Sequence, residues 1–234
     1  MGGSPIILDP VVIPLVQGPK ILDVGSGFGK WGYLCTSNYW QTFASVQGLH
    51  PEIVGCEGYD ANVQMCRNNG CYRQVLHLTV PPLPFDDRSF DSVLLIEIIE
   101  HLKEDSAQLL VEEAKRVARH RVILSTPNYP DFRGGTNSIT GWNALDAHLC
   151  YFSRARLRAL GFKLFGCGLK PGHRYWRGLL RRFGMLRCYD DWFRKNFSSL
   201  SFLFPAVAEN IVGLWIRETA SNPNCTLNRD RFSL

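Results

Sequence analysis

Short continuous apolar runs alternate with segments whose apolar residues recur every three or four positions. The runs are Ile21-Leu22-Asp23-Val24, Ile53-Val54-Gly55-Cys56, Ser92 to Ile96, Val122 to Leu124, Phe162 to Cys167 and Asn210 to Arg217. Runs of this length, bounded by turn residues, read as strands buried on both faces. Between them, Lys30 to about Val46 reads as a helix with Tyr33, Leu34, Trp40, Phe43 and Ala44 on its apolar stripe. Asp60 is placed to N-cap a helix over 61–69, and residues 71–78 contain a further strand. Ala107, Leu110, Ala114 and Val117 mark a helix over 105–119, and 151–160 reads as another. Strands alternating with helices predict an α/β fold with a mostly parallel sheet and right-handed crossovers. Residues 1–19 hold four prolines, so helix there is short and interrupted. Val12, Ile13, Leu15 and Val16 are expected to pack that arm on the sheet edge or over a ligand.

The first apolar run leads into Asp23-Val24-Gly25-Ser26-Gly27-Phe28-Gly29-Lys30. Glycines there allow a sharp turn and a close ligand approach, and the following helix offers free N–H groups and its positive dipole end. A dinucleotide fingerprint would need a third glycine where Lys30 stands, so a nicotinamide dehydrogenase is disfavoured. Asp23, just before the turn, would repel a pyrophosphate and attract an ammonium or sulfonium. The second strand ends in Glu57, one helix and two loops after Asp23. An acid at that strand end can accept both hydroxyls of a ribose. The alternative is an ordinary surface carboxylate.

Asp23 to Gly29 spells D-x-G-x-G-x-G after a strand, which resembles the first motif of the class I S-adenosylmethionine (SAM) dependent methyltransferases. Three further stretches carry the same resemblance: Leu83-Pro84-Phe85 to Asp91, then Phe90-Asp91 to Glu97-Ile98-Ile99-Glu100-His101-Leu102, then Ser125-Thr126-Pro127-Asn128. It covers residues 20–168 and returns at the last strand. It implies a Rossmann-like seven-stranded, mostly parallel sheet with the last strand antiparallel and helices on both faces. It also implies a SAM grip formed by Asp23, Gly25, Ser26, Gly27, Gly29, Glu57, Gly58, Thr79, Val80 and Glu97. One departure is Thr79, where the family usually places an acid against the adenine amino group.

Composition changes this picture little. The 234 residues suit one domain over 1–234, with 171–205 as a helical insertion or lid and 219–234 as a loose tail. Hydrophobic residues make up 45% and charged residues 20%, ordinary for a globular chain. The net charge of +5 permits an anionic acceptor without requiring nucleic acid. None of the eight cysteines forms a C-x-x-C pair, and no leader or membrane-length apolar run is visible. A cytoplasmic protein with reduced thiols, no zinc site and little contact with membranes is expected.

Methyl transfer needs alignment and a dry site, and a base only when the nucleophile must lose a proton. Glu97 at a strand end, His101 about a turn later and the distant His148 are the catalytic candidates. His101 could equally be a helix-start residue held by polar neighbours. Glu97, Glu100 and His101 also resemble the E-x-x-E-H metal motif of small-RNA 2′-O-methyltransferases, with His148 as a further ligand. The expectation adopted is no metal. Arginines and aromatics over 171–205, with Trp142 and Tyr151, suggest a small or glycan-like acceptor under a lid. RNA is the alternative acceptor, and a SAM-binding scaffold without catalysis is the non-enzyme alternative.

Overall fold

The computed structural model describes residues 4–43, 51–139, 141–169 and 201–218. Most of the 171–205 insertion and the 219–234 tail therefore lie outside the described residues. Seven strands form one sheet: β1 (Lys20–Val24), β2 (Glu52–Glu57), β3 (Gln74–His77), β4 (Phe90–Ile96), β5 (Ala118–Pro127), β8 (Lys163–Leu169) and β9 (Ala208–Ile216). Their spatial order is β3-β2-β1-β4-β5-β9-β8, and β9 alone runs opposite to the other six. β6 (Thr136–Ser138) and β7 (Gly141–Asn143) make a separate hairpin.

Successive strand residues point to opposite faces, so each strand feeds two cores. Leu22, Val24, Val93, Leu95, Val122 and Leu124 meet Ala107, Leu110, Val111, Ala114 and Val117 of helix α4 (Glu104–Val117). Ile21, Ile53, Leu94, Ile96 and Ile123 face the other way. They meet Leu8 and Val12 of the N-terminal arm, and Trp31 and Cys35 of helix α2 (Lys30–Phe43). The arm thus packs on a sheet face, in three short turns that the prolines separate: Ile6–Leu8, α1 (Asp9–Val12) and Ile13–Leu15. Helix α3 (Asp60–Asn68) adds Val63 and Cys66, and α5 (Arg154–Ala159) adds Leu157.

Several local expectations need correction. The buried face of α2 is carried by Trp31 and Cys35, whereas Tyr33 is exposed. Leu34 packs against the same cluster, while the side chains of Trp40 and Phe43, and Ala44 altogether, lie outside the described residues. Asp60 opens α3 as its first residue, and Tyr59 takes the cap position without a side-chain hydrogen bond. A carboxylate in the first turn still favours the helix dipole, so the sequence signal was displaced by one position. The glycine-rich stretch 134–137 runs into the β6–β7 hairpin, with Gly135 so close to Asn143 and Ala144 that a side chain would strike their backbone. Among the described residues no helix is long and apolar enough to cross a membrane.

Candidate active site

A cavity of about 240 Å³ opens where β1, β2 and β4 end. Ligands of open α/β sheets bind at that edge, where strand ends and helix starts leave backbone groups unpaired. Gly25, Ser26 and Gly27 form one wall, Glu57 and Gly58 a second, Thr79 and Val80 a third, and Glu97, His101 and His148 the far end.

The glycine loop is held from behind. The Gly25 and Ser26 N–H groups donate to the Cys56 carbonyl at 2.8 and 3.0 Å. Gly27 N–H donates to Glu57 Oε2 at 2.8 Å, and Tyr59 N–H donates to Oε1 at 2.8 Å. The Glu57 carboxylate is thereby aimed, and each oxygen keeps a lone pair for a further donor. Burial raises its pKa, against the backbone hydrogen bonds that lower it. Gly25 has φ +74°, and a Cβ there would lie 2.3 Å from Ile98 Cδ1. No side chain fits between this loop and the end of β4.

Asp23 sits behind the loop and does not line the cavity. It is 1% exposed, and its Oδ2 accepts the Tyr72 hydroxyl at 2.6 Å. Burial pushes its pKa up to about 7, while the Tyr72 hydrogen bond pulls it down and Glu57 adds repulsion. Tyr72 in turn accepts Gly32 N–H at 2.9 Å, and its ring fills the space that side chains at Gly29, Gly32 and Gly55 would need. Gly29 likewise lies away from the cavity, against Asn69 and Tyr72.

Lys30, the residue that breaks the dinucleotide pattern, ties down the arm. Its ammonium reaches the Ser4 carbonyl at 3.0 Å and Asp9 Oδ1 at 2.5 Å. Ser4 and Pro5 are thus held at the cavity wall. On the third wall, Arg116 of α4 donates to the carbonyls of Leu83 and Phe85, and Glu113 accepts Leu83 N–H. These bonds fix the chain that carries Thr79 and Val80.

Glu97 leaves β4 with φ +53°, a left-handed conformation that costs a non-glycine residue about 1–2 kcal/mol. Ser125 Oγ donates to its Oε1 at 2.6 Å, and Asn210 of β9 donates to Oε2 at 3.1 Å. Burial raises the Glu97 pKa, and those two bonds oppose the rise. Glu100 is 3% exposed, and neither of its oxygens has a donor with hydrogen-bond geometry. Burial and the neighbouring Glu97 push its pKa well up, against its own backbone N–H, the Thr126 hydroxyl and Arg133, which lower it. His101 Nδ1 lies 3.2 Å from the Ala147 carbonyl, and burial lowers its pKa. Its ring meets that of His148 edge-on at 4.8 Å. The strand-end turn and the distant segment are stitched together because Leu149 and Cys150 N–H both donate to the Glu100 carbonyl. Burial, His101 and Arg133 lower the His148 pKa to about 4, so its ring is neutral.

Residues that sequence reasoning missed include Lys30, Asn62, Arg133, Asn143, Leu145 and Asp146, all on the cavity wall. Arg133 reaches the site through a backbone bridge to His148, fifteen residues on, which no local periodicity announces.

Residues 22–125 match a family model described as a methyltransferase domain. Over that stretch the chain carries a methyltransferase domain. The cofactor is S-adenosylmethionine, and the cavity beside the glycine loop, with the two carboxylate oxygens of Glu57 on its wall, offers the room and the hydrogen-bond acceptors that such a group needs. The methyltransferase fold is shared with a SAM-dependent methyltransferase from Archaeoglobus fulgidus, at 16% identity and TM-score 0.53, over 89% of this chain and 90% of that one. A Thermotoga maritima SAM-dependent methyltransferase, described as a possible histamine N-methyltransferase, aligns at 16% identity and TM-score 0.53, over 91% and 89%. The PH0226 protein of Pyrococcus horikoshii matches over only 52% of this chain and 56% of its own, at 20% identity and TM-score 0.43. No curated protein matches the chain.

Proposed function

We propose that this methyltransferase acts on an oxygen or nitrogen of a small polar or glycan-like acceptor, with His101 receiving the acceptor's proton. The observation that carries this reading is the environment of His101. With Nδ1–H donating to the Ala147 carbonyl, the neutral ring keeps its lone pair on Nε2, at the wall of the cavity. A lowered pKa keeps that lone pair available at neutral pH. When bound, SAM supplies an electrophilic methyl on a positively charged sulfur. Gly25, Ser26, Gly27 and Gly58 would face it with backbone, Glu57 would accept the ribose hydroxyls, and Thr79 and Val80 would flank the base. Around the acceptor, Glu97, Arg133, Asn143 and Asp146 offer donors and acceptors of both signs. Such a lining suits hydroxyls or amines on a compact molecule. His148 supports His101 from the side, and a cytoplasmic setting is consistent with the unpaired thiols.

Labelled SAM supplied to cell extracts split into metabolite, lipid, RNA and protein fractions tests the acceptor class. Label in the small-molecule or glycan fraction supports the reading, and label mainly in RNA overturns it. Cofactor binding without label in any fraction supports the non-catalytic scaffold instead.

A further inference from the structure

At the acceptor end, Glu100, His101 and His148 each place a ligand-type atom within 4.8 Å of the others. Two imidazoles and a carboxylate at that spacing form a donor set that divalent transition metals take up. Glu100 strengthens the case, because its two buried oxygens accept no well-formed hydrogen bond and so remain open to a further partner.

One member of the set is already engaged. Arg133 Nη2 donates to His148 Nε2 at 2.6 Å. The same two residues are joined through the backbone, where His148 N–H donates to the Arg133 carbonyl at 2.9 Å. Asp131 Oδ2 closes the ring, 3.3 Å from His148 Nδ1 and 3.5 Å from Arg133 Nε. The lone pair that a metal would need is thus given to a guanidinium. That guanidinium also brings the positive charge a metal would bring.

We propose that Arg133 is a positioning residue that takes the place of a divalent ion in this pocket. It fixes His148 as the neutral Nδ1–H tautomer, excludes metal from the donor set and leaves His101 as the imidazole free to accept a proton. The part played by His101 rests on the proposed function. The replacement of a metal by Arg133 stands on geometry alone, and its test does not use activity.

The test has two arms on the full chain. In the first, nitrogen-15 NMR of the wild-type protein reads the ring nitrogens of His148. A protonated Nδ1 with a hydrogen-bonded, unprotonated Nε2 is expected, and a proton on Nε2 would overturn the proposal. In the second, Co²⁺ is titrated calorimetrically into wild type, Arg133→Met, Arg133→Lys and the double variant Arg133→Met/Glu100→Gln. Each is first checked for wild-type S-adenosylhomocysteine affinity, a readout of the cofactor grip that is independent of the metal question. The expected result is a new one-to-one site in Arg133→Met, at least tenfold tighter than any in wild type. That site disappears in the double variant and in Arg133→Lys, where a cation is restored. Stoichiometric Co²⁺ binding by wild type, or no gain in Arg133→Met, would refute the replacement. If Arg133→Met does not fold, the wild-type NMR arm decides.

Discussion

Replacing Asp23 by asparagine keeps the shape of the side chain and removes its titration. The folded-state pKa is about 7 against an ordinary value of 3.8, so the native protein holds a proton that the unfolded chain has released. A raised native pKa means that stability is fully present below about pH 4 and is lost as pH climbs through 7. Each pKa unit corresponds to about 1.4 kcal/mol, so the wild type should lose roughly 2–3 kcal/mol from this carboxyl between pH 5 and 8. The Asp23→Asn variant has no such slope. Its amide does bring an N–H₂ group to a place where Asp23 Oδ1 has no partner, which costs about 1–3 kcal/mol at every pH. Urea unfolding of both proteins at pH 5, 6, 7 and 8 isolates the carboxyl's contribution, because distant groups titrate alike in the two and cancel. The stability difference should shift in favour of Asp23→Asn by roughly 2–3 kcal/mol across that range. Parallel pH curves would refute the assignment of the buried proton to Asp23.

Glu57→Ala should weaken binding of SAM and S-adenosylhomocysteine by at least about tenfold in calorimetry, since it removes an aimed carboxylate and unties Gly27. His101→Gln should lower kcat by roughly 10²–10⁴ with an acceptor that must lose a proton, while leaving cofactor affinity near wild type. Activity should survive EDTA; loss on chelation and recovery with manganese would return the metal reading. Burial raises the thiol pKa to about 12 at Cys56 and Cys167 and about 11 at Cys66 and Cys150. Cys71 is partly exposed, so alkylation of the native protein, followed by mass spectrometry, should label it before those four. Cys188 and Cys225 lie outside the described residues.

The parts of the site that lie next to strand ends were legible in the chain. A strand that is apolar throughout must be buried on both faces, and in a parallel sheet its C-terminal end meets a helix start. Gly25, Gly27, Glu57 and Glu97 therefore carried their positions in the local pattern. Asp23 is read from its charge and from its place in the D-x-G-x-G-x-G motif, and neither says whether its carboxylate looks toward the ligand or into the sheet. The answer depends on Tyr72, 49 residues later. Arg133 was missed for a similar reason. Its place is set by one backbone bridge to His148 in irregular chain, which leaves no periodicity. In α2 the stripe is right at Leu34 and wrong at Tyr33. Trp31 enters the core one residue after the helix begins, and that turns Tyr33 outward.

The brace on Glu97 sets an order of assembly. The acid lies in the first half of the chain, and Asn210, which holds its Oε2, follows 113 residues later. A ribosome adding about 5–20 residues per second needs roughly 6–23 s to cover that stretch. During that interval the nascent chain already contains the glycine loop, Glu57 and β1 to β4, while one side of Glu97 waits for its partner. β9 must also insert between β5 and β8 before the sheet is whole. A ribosome-stalled chain ending before residue 208 would therefore hold the glycine loop and Glu57 without the amide that braces Glu97, so the two ends of the cavity are completed at different times in the life of each molecule.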